Sequence, residues 1–251
     1  MSVLDGTSLP ILSVLLLGQS LLLIFRARGR HVFYQTQKPF LWQQARQEDE
    51  LNPELLKLEQ RFSDKVRFYN FWLQVERLKS EEVPGSFAEL GVYRGETAEV
   101  LHALDPGRKL HLFDTFAGFQ KEDLAHEKAF GKNYRVGQFA DTRLETVQKK
   151  LSDPQYLFHP GYFPDTTARI PEGESFALVH LDADLYWPTL QACHYFYPRL
   201  SPGGVLIVHD YHHCWPGIQE AVDEFAQAHQ LSLVPVADQQ GSVMIFKPAQ
   251  A

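Results

Sequence analysis

The stretch FALVHLDADLYWPTL, residues 176–190, decides the fold of this chain. An apolar run with the length of a buried strand ends in two acids, Asp182 and Asp184, and a helical segment opens at Tyr186. Carboxylates are not buried without compensation, so a buried strand that ends in acids usually delivers them to a functional site. We expect Asp182 to serve such a site and Asp184 to cap the helix that follows.

The same change from strand to helix recurs along the chain. It predicts a Rossmann-like α/β fold, a mostly parallel seven-stranded sheet with helices on both faces. Only ADQQG joins the last two apolar runs, which is too short for a crossover helix and predicts an antiparallel C-terminal hairpin. The predicted strands are 87–91, 110–114, 156–159, 176–182, 204–208, 231–236 and 242–247, and the predicted helices are about 94–104, 142–152, 186–199 and 216–229.

Composition narrows the class of protein. The 251 residues carry 24 Lys+Arg against 31 Asp+Glu, a formal net charge of −7, which argues against a nucleic-acid partner. The two cysteines, Cys193 and Cys214, form no CxxC pattern and imply no disulfide framework. This argues against structural zinc and favours a reducing compartment.

The first thirty residues form a separate region. Residues 9–25, LPILSVLLLGQSLLLIF, carry no charge, and RARGR follows them. A helix of this length spans about 25 Å, slightly less than a ~30 Å bilayer core. We predict a hydrophobic N-terminal helix in residues 1–30 and favour a membrane anchor, with the catalytic domain facing the cytoplasm. A packed or interfacial helix of a soluble cytoplasmic protein stays open, as does a signal peptide, which the missing basic n-region disfavours.

Residues 31–52 have no clear period and are interpreted as a linker or arm before the main domain, residues 53–251. Asn52-Pro53 is a typical helix start, with Asn as the cap and Pro in the first turn. Apolar residues then recur at three- and four-residue steps, which predicts an amphipathic helix with a break near Ser63.

The end of the first predicted strand, ELGVYRGET, carries a glycine loop of the form G-x-x-x-G, from Gly91 to Gly95. It is not the G-x-G-x-x-G of dinucleotide sites, because Tyr93 stands inside it. Glu89 precedes the loop, and a carboxylate there suits an ammonium or sulfonium group better than a phosphate. Asp114 ends the next strand, where an acid usually accepts hydrogen bonds from ribose hydroxyls.

An amine, a sulfonium and a ribose together describe S-adenosyl-L-methionine. The candidate cofactor-binding residues are Glu89, Gly91, Tyr93, Gly95, Asp114 and Tyr162, the last of which follows the third strand. The alternative is an ordinary glycine-rich turn beside a solvated acid.

A second set of candidates follows the fourth and fifth strands. Asp182, His209 and Asp210 should meet at neighbouring strand ends and could hold Mg²⁺ or another divalent cation. We predict Asp182 and His209 as catalytic residues, with Asp182 able to act as a direct general base instead. The alternative is a strand end covered by polar residues.

Several stretches, in this order and spacing, resemble the macrocin O-methyltransferase family over roughly residues 80–247: VPGSFAELGVYRGETA, LHLFDTFAGF, GYFPDTT, LDADLYWPT and LSPGGVLIVHDY. The resemblance implies a class I S-adenosylmethionine-dependent methyltransferase that methylates a sugar hydroxyl, often in a glycosylated natural product, with magnesium at the site. By position it implies a cofactor loop from Glu89 to Gly95, a ribose acid at Asp114, a metal and base position at Asp182 and a metal pair at His209-Asp210.

The chain departs from that family in two places. The family usually has two acids where this chain has His209-Asp210, and imidazole is a softer ligand than the oxygens that Mg²⁺ prefers. The apolar N-terminus favours a lipid-linked or membrane-associated acceptor over a soluble one. Two other functions stay open, a membrane-tethered binding module without catalysis and a dinucleotide-dependent oxidoreductase. A homo-oligomer also stays open.

The segment of residues 116–139 is long, and its sequence gives few indications of a strand or a helix. A loop of this length in a compact domain is more often functional than idle. We predict that this segment is part of a lid that excludes water during methyl transfer; the alternative is a surface insertion.

Overall fold

The computed structural model describes residues 38–212 and 214–249. The predicted hydrophobic helix at residues 9–25 lies outside this range. Within the described ranges, no helix has both the length and the apolar character needed to cross a bilayer. The chain divides into two units between Leu51 and Asn52. The described part of the first unit contains helix α1, Phe40–Gln47, so the predicted linker or arm is partly helical.

The second unit is built on a seven-stranded sheet with the strand order β3-β2-β1-β4-β5-β7-β6. Strands β1 to β5 are parallel, and β7 pairs antiparallel with both β5 and β6. The predicted mostly parallel sheet and its C-terminal hairpin are therefore confirmed. The strands are β1 Ser86–Leu90, β2 Leu110–Asp114, β3 Tyr156–Pro160, β4 Phe176–Leu181, β5 Leu200–Val208, β6 Val234–Pro235 and β7 Val243–Phe246.

The helices of this unit follow the predicted alternation, with one addition. They are α2 Pro53–Arg61, α3 Lys65–Ser80, α4 Glu96–Leu104, α5 Lys121–Glu127, α6 Leu144–Lys150, α7 Tyr186–Phe196 and α8 Pro216–His229. The start at Asn52 is confirmed, because its side chain accepts a hydrogen bond of 2.7 Å from the Leu55 N–H. The break near Ser63 is confirmed as well, since α3 restarts behind a cap at Asp64. Helix α5 was not predicted.

Helices cover both faces of the sheet. Ala88, Val179 and Leu206 are fully buried in one core cluster together with residues of α7 and α8. The alternate side chains of the strands point to the other face of the sheet, which α3 covers. There the ring of Phe71 packs edge-on against His180 at 5.1 Å between centroids. The arrangement leaves the carboxyl ends of the parallel strands as the open rim, the position at which such sheets bind ligands.

Candidate active site

The pairing of β4 with β5 brings the predicted catalytic residues together. Leu181 is paired with Val208, so the next residues along the two strands, Asp182 and His209, lie side by side. The His209 N–H donates to the Leu181 carbonyl at 2.8 Å, which continues the ladder to this point. Residues 27 positions apart in sequence thus meet at one rim, as the sequence predicts.

His209 stands between two carboxylates. Its Nδ1 lies 3.0 Å from Asp182 Oδ1 and 3.4 Å from Asp210 Oδ2. Burial lowers the pKa of His209, but the charge of Asp182 and the hydrogen bonds to both acids outweigh it and raise the pKa to about 10. Burial likewise raises the pKa of Asp182, but the charge and hydrogen bond of His209 hold it well below the usual range. At neutral pH the imidazole is therefore protonated and Asp182 ionised.

Two further groups adjust the charge of this acidic cluster, defined as Asp182, His209 and Asp210. From helix α3, Arg67 Nη1 reaches within 3.7 Å of Asp182 Oδ2. Asp184 also lines the cleft; burial, the charges of Asp182 and Asp210 and a hydrogen bond with Asp210 raise its pKa well above the usual range. The environment of Asp184 thus favours its protonated form.

The prediction that Asp184 caps helix α7 is wrong. Leu185 occupies the cap position, and its side chain makes no hydrogen bond to the helix. The first helical N–H, that of Tyr186, donates at 2.5 Å to Oε1 of Glu127. Glu127 lies 59 residues upstream, so a local capping rule could not identify it.

A cleft of about 430 Å³ opens at the rim. That volume is within the usual range for small-molecule sites. The predicted site residues that line it are Gly91, Tyr93, Asp114, Tyr162, Asp182, His209 and Asp210. The structure therefore joins the predicted cofactor loop and the acidic cluster in one cavity, but Glu89 and Gly95 are not among its lining residues.

Glu89 lies behind the cleft wall. It is 1% exposed, and its Oε1 contacts His180 Nδ1 at 3.1 Å, because the two residues are paired across β1 and β4. Burial and the charge of Asp182 raise the pKa of Glu89 well above the usual range, and burial lowers that of His180 to about 3. Both pKa shifts favour the uncharged forms of Glu89 and His180. An uncharged Glu89 attracts the positive groups of the cofactor less, which weakens the case for a direct contact. That contact stays a prediction.

Asp114 holds the glycine loop in shape. Its two carboxylate oxygens accept the N–H of Tyr93 at 2.8 Å and that of Phe116 at 2.7 Å. Tyr93 adopts a left-handed backbone at φ 47°, and Gly95 at φ 72° stands at the cap position of α4. The role of Gly95 is thus to begin the helix, while Asp114 presents its carboxyl group to the cavity.

Residues 116–139 contribute one wall of the cleft through Gly118, Phe119, Asp123 and Phe139. Asp123 is 5% exposed and accepts a hydrogen bond of 2.7 Å from the hydroxyl of Tyr162, so it joins the wall to the end of β3. The sequence offers no signal for Asp123. A lid function of this segment stays a prediction.

The acidic cluster suits a divalent cation by its donor chemistry. Two carboxylates and one imidazole offer ligand atoms that all lie within 4.8 Å of one another. Imidazole binds a metal only in its neutral form, so the proton now held at Nδ1 competes with a cation. The residues present fit such an ion by their donor chemistry.

The model of the family described as macrocin O-methyltransferase (TylF) matches residues 22–243. Mycinamicin III 3''-O-methyltransferase of Micromonospora griseorubida is 36% identical over 180 residues, which cover 66% of this chain and 70% of that protein. A Streptomyces olivaceus 4'-O-methyltransferase that acts on 8-demethyl-8-(2,3-dimethoxy-alpha-L-rhamnosyl)-tetracenomycin-C is 29% identical over 198 residues, 74% of each chain.

The fold has a counterpart among solved structures. The O-methyltransferase NovP superposes with a TM-score of 0.63 and 27% sequence identity, covering 73% of this chain and 80% of that one.

Proposed function

The chain belongs to the macrocin O-methyltransferase family and is an O-methyltransferase, and we propose that it transfers the methyl group of S-adenosyl-L-methionine to a sugar hydroxyl of a glycosylated natural product. The observation that carries this proposal is the shared cleft. Asp114, Gly91 and Tyr93 of the glycine loop, and the acidic cluster all line it. The two relatives are named for methylation of the 3''-oxygen of mycinamicin III and of the 4'-oxygen of a rhamnosyl tetracenomycin, which supports a glycosylated acceptor.

In the proposed reaction, the acceptor oxygen attacks the methyl carbon while the carbon–sulfur bond breaks, which leaves a neutral thioether. The attacking oxygen becomes positively charged as the new bond forms, so even a carboxylate of low pKa is basic enough to take its proton. Asp182 accepts that proton, and His209, bonded to Oδ1 of Asp182, holds the carboxylate in position. A proton acceptor of this kind typically contributes a factor of about 10²–10⁴ in rate.

Asp182, His209 and Asp210 would hold a divalent cation, and a bound cation would supply Lewis acidity at the site. An imidazole in place of a second acid favours a weaker magnesium site than three oxygens would make. A metal requirement is thus a proposal that rests on the donor set alone.

The test is methyl transfer from isotopically labelled S-adenosyl-L-methionine to a panel of glycosides, with the product analysed by mass spectrometry and NMR. The panel contains glycosylated macrolides, rhamnosylated polyketides and the matching aglycones. Label on a sugar oxygen supports the proposal. Label only on the aglycone, or on a nitrogen or carbon atom, contradicts it.

Membrane association through residues 9–25 and homo-oligomer formation remain predictions. A lipid-linked or membrane-associated acceptor would follow if the N-terminal segment anchors the chain.

A further inference from the structure

We propose that Glu127 is a positioning residue: it fixes the wall segment, residues 116–139, to the starts of helices α7 and α8 and thereby sets the geometry of the acidic cluster. This inference rests on the proposed function, because the reaction gives the cluster its role. It deepens that function by naming a residue that acts on the catalytic groups without touching the reacting atoms.

The first contact of Glu127 is with α7. The residue is 2% exposed, and Oε1 accepts the Tyr186 N–H at 2.5 Å. The cap residue of the helix makes no side-chain hydrogen bond, so Glu127 satisfies one of the N–H groups that a helix start leaves without an intrahelical partner. A carboxylate at this end is also favoured by the partial positive charge of a helix N-terminus.

The second contact is with α8. A Cβ atom on Gly217 would lie 2.8 Å and 2.9 Å from the two carboxylate oxygens of Glu127. An alanine at position 217 would therefore force the Glu127 carboxylate to move. Helix α8 also lacks a side-chain cap, and Oε2 of Glu127 has no hydrogen-bond partner in the described ranges. One buried carboxylate thus lies against the first turns of two helices.

Both helices begin just after the residues of the acidic cluster. Tyr186 stands four residues after Asp182, and Pro216 stands six residues after Asp210. A displacement of either helix start therefore moves the backbone that carries the cluster. Glu127 is placed where it can transmit the position of the wall segment to both strand ends.

Aromatic contacts hold the same three parts together. The ring of His126 stacks on Trp187 of α7 at 4.4 Å between centroids, with an interplanar angle of 6°. Tyr134 stacks on Trp215, directly before α8, at 4.9 Å. These contacts make the wall segment a folded part of the cleft, and Glu127 is its buried polar contact with α7 and α8.

The experiment displaces the carboxylate in two independent ways. Glu127→Ala removes it, and Gly217→Ala pushes it away by steric conflict while leaving its charge in place. The matched controls are Glu122→Ala, an exposed acid on the same helix, and Gly107→Ala, where an added Cβ meets nothing within 4 Å. Glu127→Gln keeps an acceptor oxygen for Tyr186 and serves as the conservative variant.

For each variant we would measure kcat, KM, S-adenosylhomocysteine affinity and amide hydrogen exchange of residues 116–139 and 182–190. We expect kcat to fall about tenfold or more in both displacing variants, as for a small misplacement of reacting groups. Cofactor affinity should stay within about twofold and exchange should accelerate, while Glu127→Gln recovers most of kcat.

Two outcomes would overturn the inference. One is wild-type exchange and wild-type kcat in both displacing variants; the other is an equal loss in the two controls. Hydrogen exchange requires no turnover. If the wild-type chain transfers no methyl group, the proposed function fails, while the exchange data still decide whether Glu127 fixes the wall segment.

Discussion

The backbone of Gly91 lies directly against that of Asp182: a Cβ atom on residue 91 would fall 1.9 Å from the Asp182 carbonyl oxygen. Gly91 also has φ +90°, a conformation that side-chain-bearing residues rarely adopt. The turn that begins the glycine loop and the strand end that carries the acidic cluster are therefore in van der Waals contact. This contact brings the candidate donor loop and the acidic cluster to one cleft.

We predict that Asp182→Asn lowers kcat at least about 100-fold while leaving S-adenosylhomocysteine affinity unchanged. The amide is nearly isosteric but cannot take up the proton of the acceptor hydroxyl. Steady-state kinetics and calorimetry measure the two quantities. Asp165→Asn, an exposed acid that does not line the cleft, is the matched control. Retained turnover in Asp182→Asn would show that this residue is not the proton acceptor.

We predict that Asp114→Asn weakens S-adenosylhomocysteine binding about tenfold or more. The carboxylate accepts two backbone N–H groups, and an amide can accept only one of them while its NH₂ group opposes the other. Calorimetric titration measures the change. An unchanged dissociation constant would remove Asp114 from the donor site.

We predict that His209→Asp increases the dependence of activity on magnesium and tightens magnesium binding about tenfold or more. The substitution replaces a protonated imidazole by a third hard oxygen ligand. Metal titrations of activity, together with calorimetry in the absence of substrate, test this prediction. A magnesium titration identical to that of the wild type would exclude His209 from the ligand set.

Stability should fall as the pH falls because of a buried histidine pair. His111 Nδ1 lies 2.9 Å from His159 Nε2, and burial together with the charge of His111 lowers the pKa of His159 to about 4. An unfolded histidine titrates near pH 6.5, so between about pH 6.5 and 4 the unfolded chain binds more protons than the folded one. Stability is therefore lost as the pH decreases through this window.

Urea unfolding at several pH values tests this effect with His159→Phe, which removes one titrating ring. We predict a smaller decline in the free energy of unfolding between pH 6.5 and 4 than in the wild type. The exposed control His229→Phe should keep the wild-type decline. Equal declines in all three proteins would exclude the buried pair as the cause.

The N-terminal segment gives a separate prediction. We expect deletion of residues 1–30 to move the chain from the membrane fraction to the soluble fraction with its fold intact. Cell fractionation and circular dichroism measure the two properties. A full-length chain that is already soluble without detergent would rule out the anchor.

Periodicity and strand-end chemistry were sufficient to predict the sheet, the terminal hairpin and the meeting of Asp182 with His209. They were insufficient for helix α5, because its buried positions, Asp123 and Glu127, are acids and give no apolar period. The first strand of the hairpin covers only Val234–Pro235 of the predicted residues 231–236.

One prediction is wrong and another stays untested, and in both cases the cause is a contact between residues that are far apart in the sequence. The cap of α7 comes from Glu127 in a segment without local capping signals. Glu89 stands one residue before the end of β1, and its parity directs it toward His180 behind the cleft. The alternation along a strand shows which residues share a face of the sheet with Glu89, but it does not show which face borders the ligand.

The most direct test of the account is a crystal structure of the chain with S-adenosylhomocysteine bound. We predict that the ribose contacts Asp114 and that the sulfur atom lies beside Gly91, facing Asp182. A ligand bound outside the cleft, or one whose sulfur points away from the acidic cluster, would contradict it.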